Sequence, residues 1–313
     1  MRIVSLIASA TEITCALGLR AALVGRSHEC DTPEDVRALP ALTNTKFDTD
    51  LPSKAIDTAV KSLVSDGLAV YHVDSAQLRT LAPDVILTQD QCEVCAASLK
   101  DVEAAVCDWV GRPVRIVSLH PECLADIWND IRTVGKALNC EERATALIKD
   151  AETHISAVAG HSENRPKILC VEWIDPLMSA GHWIPELITA AGGLSLLAET
   201  GGPSPYISMD QIIAADPDII VVAPCGFDVE RSTSEMAVLD DDPAWRGLRA
   251  VREQRVAIAD GNRYFNRPSL SVVDTVDILK DILVYFGDES GGDAKFDNSV
   301  WRHWPSSKSI GRV

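Results

Sequence analysis

The 313-residue sequence predicts an α/β protein of two parallel-sheet α/β lobes joined by a long helical linker, with a ligand cleft between the lobes. Three observations lead there. Short apolar strands alternate with helical stretches and lack hairpin signals, which implies parallel sheets with right-handed crossovers. The stretch from Pro121 to Gly160 reads as two helices end to end with no room for a strand. The phrases before that stretch return after it. The resulting boundaries are an N-terminal lobe over 1–120, a helical linker over 121–165, a C-terminal lobe over 166–287 and a tail over 288–313.

The linker carries Leu124, Ile127, Trp128, Ile131, Val134 and Leu138 at helical spacing, with Pro121 placed in the first turn. Asn139 breaks the pattern, and Glu142 three residues later completes a capping box for a second helix with Ala144, Leu147, Ile148, Ala151, Ile155 and Val158 on one face. In the first lobe, Ile3 to Leu6 is a buried strand, Ser9 to Leu17 a helix stopped by Gly18, and Ala22 to Gly25 a second strand. Ile56 to Leu63 is helical and Val70 to Val73 a strand. Leu81-Ala-Pro-Asp-Val-Ile-Leu-Thr88 then gives a helix end, a Pro-Asp turn and a buried strand. After the linker it is echoed by Ala215-Asp-Pro-Asp-Ile-Ile-Val-Val222. Strand Ile168 to Val171, loop Glu172 to His182, helix Trp183 to Ala191 and stop Gly192-Gly193 mirror the opening of the chain. Arg115 to Leu119 is answered by Arg255 to Ala259 and the helix Leu270 to Phe286. The tail is rich in Gly, Ser and Asp, so it is expected to be mobile or superficial, with Trp301 and Trp304 pinning its end.

Composition narrows the function classes. With 46% hydrophobic and 24% charged residues the chain can bury a large core. No apolar run approaches the roughly 18 to 20 residues of a bilayer span, so no membrane insertion is expected. The net charge of −17 opposes nucleic acid and anionic membranes, whose phosphates would be repelled. Nine cysteines, an odd number, fit a reducing compartment. Arg2 and the apolar Ile3 to Ala8 are shorter than an export signal, so a cytoplasmic location is expected as encoded, and a periplasmic one if the start is misassigned.

Ligands of open α/β sheets bind beyond the carboxyl ends of the strands. The loops expected there carry His28, Glu29, Cys30, Asp90, Gln91, Cys92, Trp173, His182, Trp183, Phe227, Tyr264 and Phe265. Cys92-x-x-Cys95 has the spacing of a zinc or redox pair, which His28, Cys30 and His182 would complete as a metal site. The plainer alternative is two loop thiols. His120 and His182 sit where an imidazole caps a helix start. Trp173, Trp183, Phe227, Tyr264 and Phe265 are expected as apolar walls, the alternative being core packing. Glu172 and Asp175 offer a carboxylate pair for a metal-dependent enzyme, but no motif pairs a nucleophile with a base, so no catalysis is expected.

Taken together, several of these phrases resemble a known family. They are Arg2-Ile-Val-Ser-Leu with Ser9-Ala-Thr-Glu12, Val24-Gly-Arg-Ser-His-Glu-Cys-Asp-Thr-Pro33, Ala82-Pro-Asp-Val-Ile-Leu87, Trp173-Ile-Asp-Pro-Leu-Met178 with Gly181-His-Trp183, Ala190-Ala-Gly-Gly193, and Arg267-Pro-Ser269 with Val273-Asp274. From Arg2 to Phe286 the chain resembles the periplasmic-binding-protein class with a helical backbone, and within it the vitamin B12-binding components of ABC importers. The resemblance implies a non-catalytic binding protein for cobalamin or a related corrinoid, delivered to an ABC permease. It places the His28 to Asp31 loop, Phe47, Trp173 and the Tyr264-Phe265 pair at contact regions. Haem, siderophore and metal receptors share the architecture. The His-Glu-Cys loop and the Cys92 and Cys95 pair therefore keep a metal or metal chelate, with zinc as a second cofactor, as the alternative.

Overall fold

The computed structural model describes residues 1–66, 70–90, 102–103, 106, 114–158, 165–287 and 294–305. The chain divides into two compact units, Met1–Leu51 with Ala55–Asp150, and Pro52–Lys54 with Ala151–Val313.

In chain order the first part contains β1 (Ile3–Ser5), α1 (Ala8–Ala16), β2 (Leu23–Arg26), β3 (Thr43–Thr45), α2 (Ser53–Ser65), β4 (Tyr71–Val73), α3 (Ser75–Leu81), β5 (Val85–Gln89), β6 (Arg115–Leu119), α4 (Leu124–Ala137) and α5 (Glu141–Val158), in which the division falls. Its sheet runs β2-β1-β5-β6, with every neighbour parallel. All five residues of β5 are buried, as a parallel strand covered on both faces requires. Val4, Leu6, Leu42, Leu78 and Ile86 form one core cluster of that unit.

The second part contains β7 (Lys167–Trp173), β8 (Met178–Ser179), α6 (Ile184–Ala191), β9 (Leu194–Ser195), α7 (Met209–Ala215), β10 (Ile219–Val222), α8 (Val229–Asp240), α9 (Pro243–Gly247), α10 (Arg249–Arg252), β11 (Val256–Ala259), α11 (Ser271–Gly287) and β12 (Trp301–His303). The sheet order is β12-β11-β10-β7-β8, with β9 also pairing β7. The β11, β10, β7 and β9 neighbours are parallel. Ile219, Ile220, Val221 and Val222 are each at most 2% exposed. Burial of such a side chain is worth roughly 1.5–3 kcal/mol, so β10 is the stabilising centre of this unit.

The repeated phrase builds the same device twice. Ala82 and Asp216 both end a helix in the left-handed region, at φ 45° and 47°. The Asp after each proline then accepts a backbone N–H that opens the neighbouring strand: Asp84 takes that of Arg2 and Asp218 that of Lys167, both at 2.7 Å. The helix before the turn and the strand after it are thereby locked in register with a second strand.

Several expectations need correction. Not every pairing is parallel: β3 pairs β4 antiparallel, and β8 and β12 are antiparallel additions to the second sheet. These strands are only two or three residues long and lack the alternation that sequence reading relies on. Pro121 precedes α4 rather than sitting in its first turn. The helix starts where the Asp126 carboxylate accepts the N–H groups of Glu122 and Cys123. Asn139 adopts φ 58°, so it terminates α4 instead of capping α5. Strand β7 runs two residues further than expected and takes in Glu172 and Trp173.

The end of the tail is docked. β12 pairs with β11, and Trp301 is 1% exposed with its Nε1–H donated to Asp281 at 2.8 Å. The same carboxylate accepts the N–H groups of Lys295 and Phe296. Asp281→Ala should therefore leave a buried indole N–H unpaired, costing about 1–3 kcal/mol for that group alone. The expected outcome is a lower melting temperature and faster proteolytic cleavage within 294–305, read by mass spectrometry. Unchanged cleavage would mean the segment is held by its strand pairing alone.

Candidate functional site

Polar chemistry in the first unit gathers at the carboxyl ends of its strands. Beyond β2, the Thr43 hydroxyl receives the His28 backbone N–H at 3.1 Å, lies 2.8 Å from His28 Nδ1 and donates to Ser27 Oγ at 3.0 Å. Thr43 and the Nδ1 of the neutral His28 ring thus share one hydrogen bond. Burial, followed by the Arg26 charge, lowers the His28 pKa, so this neutral form is favoured. Tyr71 stacks tilted on the ring at 5.6 Å, and Glu29 Oε1 lies 3.8 Å from Nε2. Phe47 packs against Val70 and Tyr71.

Cys30 goes elsewhere. It is 1% exposed, packs with Ala8 and Val36, and accepts the Thr11 hydroxyl on its sulfur at 3.0 Å. The predicted His28 and Cys30 ligand pair is thus separated, because the backbone turns the thiol into the core. Asp90, at the end of β5, bonds His120 Nδ1 at the end of the adjacent β6, 2.8 Å away. That bond, chiefly, raises the His120 pKa, and Glu122 stands 3.6 Å from Nε2. His120 is therefore half of an exposed acid-base pair and not a helix cap. Below it, Asp130 on α4 is 8% exposed, and its Oδ2 has no hydrogen-bond partner. Burial pushes its carboxyl up to about 7, against the His120 backbone hydrogen bond. Gln91, Cys92 and Cys95 lie outside the described residues.

The second unit presents aromatic groups at the same kind of edge. Trp173 ends β7 and Phe227 follows the adjacent β10. Their rings are 5.3 Å apart, tilted by 49°, and the Arg231 guanidinium sits 4.4 Å from the Phe227 ring centre. Trp173 donates its indole N–H to the Asp175 carbonyl at 3.2 Å, which fixes the turn after the strand. Gly261, after β11, lets this loop lie directly on the Ala223 and Pro224 carbonyls, where a Cβ would collide. Tyr264 is half-buried beside Arg263, 5.3 Å from its guanidinium.

Three of the predicted walls are interior. Trp183 is 7% exposed and donates to the Phe265 carbonyl at 3.1 Å, while Phe265 is 1% exposed. These rings seat the loops and present almost no surface. Phe227 is 5% exposed and supports Trp173 from below. His182, at φ 51°, donates its backbone N–H to the Gly202 carbonyl and stacks at 5.8 Å on Trp183. Glu172 lies on β7 and Asp175 in the turn beyond it, so the two are not neighbours on one loop as expected. Among the described residues, no group of three or more His, Cys, Asp or Glu side chains is arranged to hold a metal ion. Sequence reasoning missed the partnership of His120 with Asp90 and the cation stacked on Phe227. The spacing of Arg231, four residues after Phe227, was the available signal for the second.

Residues 3–262 match the sequence profile of the periplasmic binding proteins. The chain belongs to that family. Among its relatives, a vitamin B12-binding protein of Vibrio vulnificus is 23% identical over 227 residues, covering 71% of each chain. One from Vibrio cholerae is 27% identical over 103 residues, 32% of this chain and 33% of that one. Solved structures show the same fold. An ABC transporter substrate-binding protein of Listeria monocytogenes aligns with TM-score 0.68 at 20% identity over 90% of this chain and 97% of its own. A periplasmic heme binding protein of Pseudomonas aeruginosa gives 0.67 at 19% over 92% and 93%. The periplasmic vitamin B12 binding protein of Vibrio cholerae gives 0.60 at 19% over 92% and 98%. In this periplasmic binding protein, no helix among the described residues is long and apolar enough to cross a membrane.

Two tests follow from the electrostatics. By NMR titration, His28 should titrate below its ordinary 6.5 and His120 above it, and Asp90→Asn should bring His120 back down. Coincident midpoints for the two rings would contradict the burial and pairing described. Because the Asp130 pKa is raised, its contribution to stability is present in acid and is lost as pH rises through about 7. Asp130→Asn should therefore raise the melting temperature at pH 8, with the gain fading towards pH 4.

Proposed function

We propose that the protein is a non-catalytic solute-binding protein for cobalamin or a related corrinoid, serving an ABC importer outside the cytoplasm. The observation that carries this reading is the Trp173 and Phe227 pair, stiffened by Arg231 and standing where two adjacent parallel strands end. An indole fixed by its own hydrogen bond offers a flat apolar face at little entropic cost, which suits a broad, nearly planar ligand. Beside that pair in the same unit, half-buried Tyr264 and Arg263 supply hydrogen-bonding groups of the kind that corrin amides satisfy. Relatives named as vitamin B12-binding proteins support the same ligand, and the periplasmic ones among the solved structures support the compartment.

A metal chelate such as haem is the second reading, favoured by the heme-binding structural neighbours and by an imidazole on His28 that burial holds in its neutral form. Zinc is less favoured: the described residues hold no cluster of donors, and His28 and Cys30 diverge. The metalloenzyme reading is less favoured, since no group of three or more His, Cys, Asp or Glu among the described residues is arranged to hold a metal ion.

Titration of the purified chain with cyanocobalamin, followed by tryptophan fluorescence, should show saturable 1:1 binding in the micromolar range or tighter. Trp173→Ala should weaken it by about 10- to 100-fold, the loss expected for an aromatic anchor. Tight haem binding with no response to cobalamin would shift the assignment to the chelate reading. Stoichiometric zinc with neither pigment bound would sink both.

A further inference from the structure

The second unit contains a cavity of about 370 Å³ at the ends of β10 and β11, and part of its wall comes from the C-terminal segment. Asp228 and Arg263 face it from the loops after those strands. Asn298, Ser299 and Arg302 face it from the docked tail. That tail lies beyond residue 262, where the family match ends. It is nonetheless held firmly, by the β12 pairing, by Trp301 on Asp281 and by the Asp260 N–H donated to the Val300 carbonyl at 2.9 Å. An edge strand alone would be satisfied without walling a pocket. This segment also turns Asn298 and Ser299 towards the loops that follow β10 and β11.

The lining chooses a ligand class. The Arg302 guanidinium is neutralised by Glu230, with which it forms an ion pair. Arg263 has no ion pair among the described residues and offers a fork of donors beside the Tyr264 ring. One Asp228 oxygen caps α8 by accepting the Arg231 N–H at 2.7 Å, and an ionised carboxylate has further lone pairs for a second donor. Donors and acceptors thus stand together with their charges nearly balanced. An ionised carboxylate would be drawn to Arg263 but repelled by Asp228 and Asp260, whereas a primary amide satisfies both signs at once. Resting on the corrinoid reading above, we propose that this cavity is a subsite for a neutral primary-amide arm of the bound ligand, with residues 298–302 as a specificity wall.

The test uses the full chain, cyanocobalamin and its monocarboxylate derivatives, in which one side amide is hydrolysed. Asn298→Trp, which fills the cavity from an exposed position, and Arg263→Gln, which removes the donor fork, should each raise the cyanocobalamin Kd about tenfold, with melting temperatures within a few degrees of wild type. At least one monocarboxylate should bind the wild type more weakly than the parent. That deficit should shrink in Asp228→Asn, which keeps the helix cap but not the charge. Binding unchanged within about twofold in both Asn298→Trp and Arg263→Gln overturns the subsite. Equal affinity for every monocarboxylate and the parent overturns its preference for an amide. If the wild type binds no corrinoid, the ligand reading itself fails and takes the subsite with it.

Discussion

A parallel strand covered on both faces buries every side chain along its length, and this constraint governs both units. β5, β10 and β11 are buried at every residue. Any group that must meet water or a ligand is therefore displaced to the strand ends, where the backbone leaves the sheet. Adjacent parallel strands end side by side, so the first residues past neighbouring strands are brought together by the sheet itself. Asp90 meets His120 in that way, and Trp173 meets Phe227. The pairings need no sequence proximity, only a shared edge.

Fixing the edge requires fixing the register, and the Pro-Asp turns do so. Asp84 and Asp218 each tie the turn before one strand to the opening residue of another. At the opposite edge, Gly261 permits a backbone approach that no side chain would allow, drawing the loop after β11 onto the loop after β10. Trp183 and Phe265 then lock that loop from beneath through an indole to carbonyl hydrogen bond. The exposed aromatics are held by buried ones. Such a surface is preorganised, which favours recognition of a rigid ligand over an adaptable fit.

Much of the fold was legible because its signals are local. The repeated Pro-Asp phrase, the alternation of strands and helices, and the stops at Gly18 and Gly192 are all written in contiguous residues, and the glycines take φ 75° and 103° as helix terminators do. What escaped has a common cause. β3, β8 and β12 are two or three residues long, and their pairing depends on partners far along the chain. The site was legible as a set of loops but not as a set of directions. Sequence places His28 and Cys30 two residues apart, yet one ring turns to Thr43 and the other side chain to the core. Loop residues carry no periodicity from which a facing can be read. Trp183 and Phe265 show the same limit, since position beyond a strand end does not distinguish a wall from its foundation.

The divergence of His28 and Cys30 also bears on what kind of ligand the edge can take. A metal ion needs several donors converging on one point, a demand of tenths of an ångström that tolerates no inward-facing member. A large flat ligand needs only separate patches, an apolar face here and a hydrogen-bond pair there, each satisfied independently. Each unit's own edge supplies patches: in the first an imidazole bonded to Thr43 and a carboxylate beside an imidazole, in the second a tryptophan braced by a phenylalanine and an arginine beside a tyrosine. One of these patches, Asp90 with His120, pairs opposite charges despite a net charge of −17 for the whole chain. A pairing of that kind repels neither pole of an uncharged ligand.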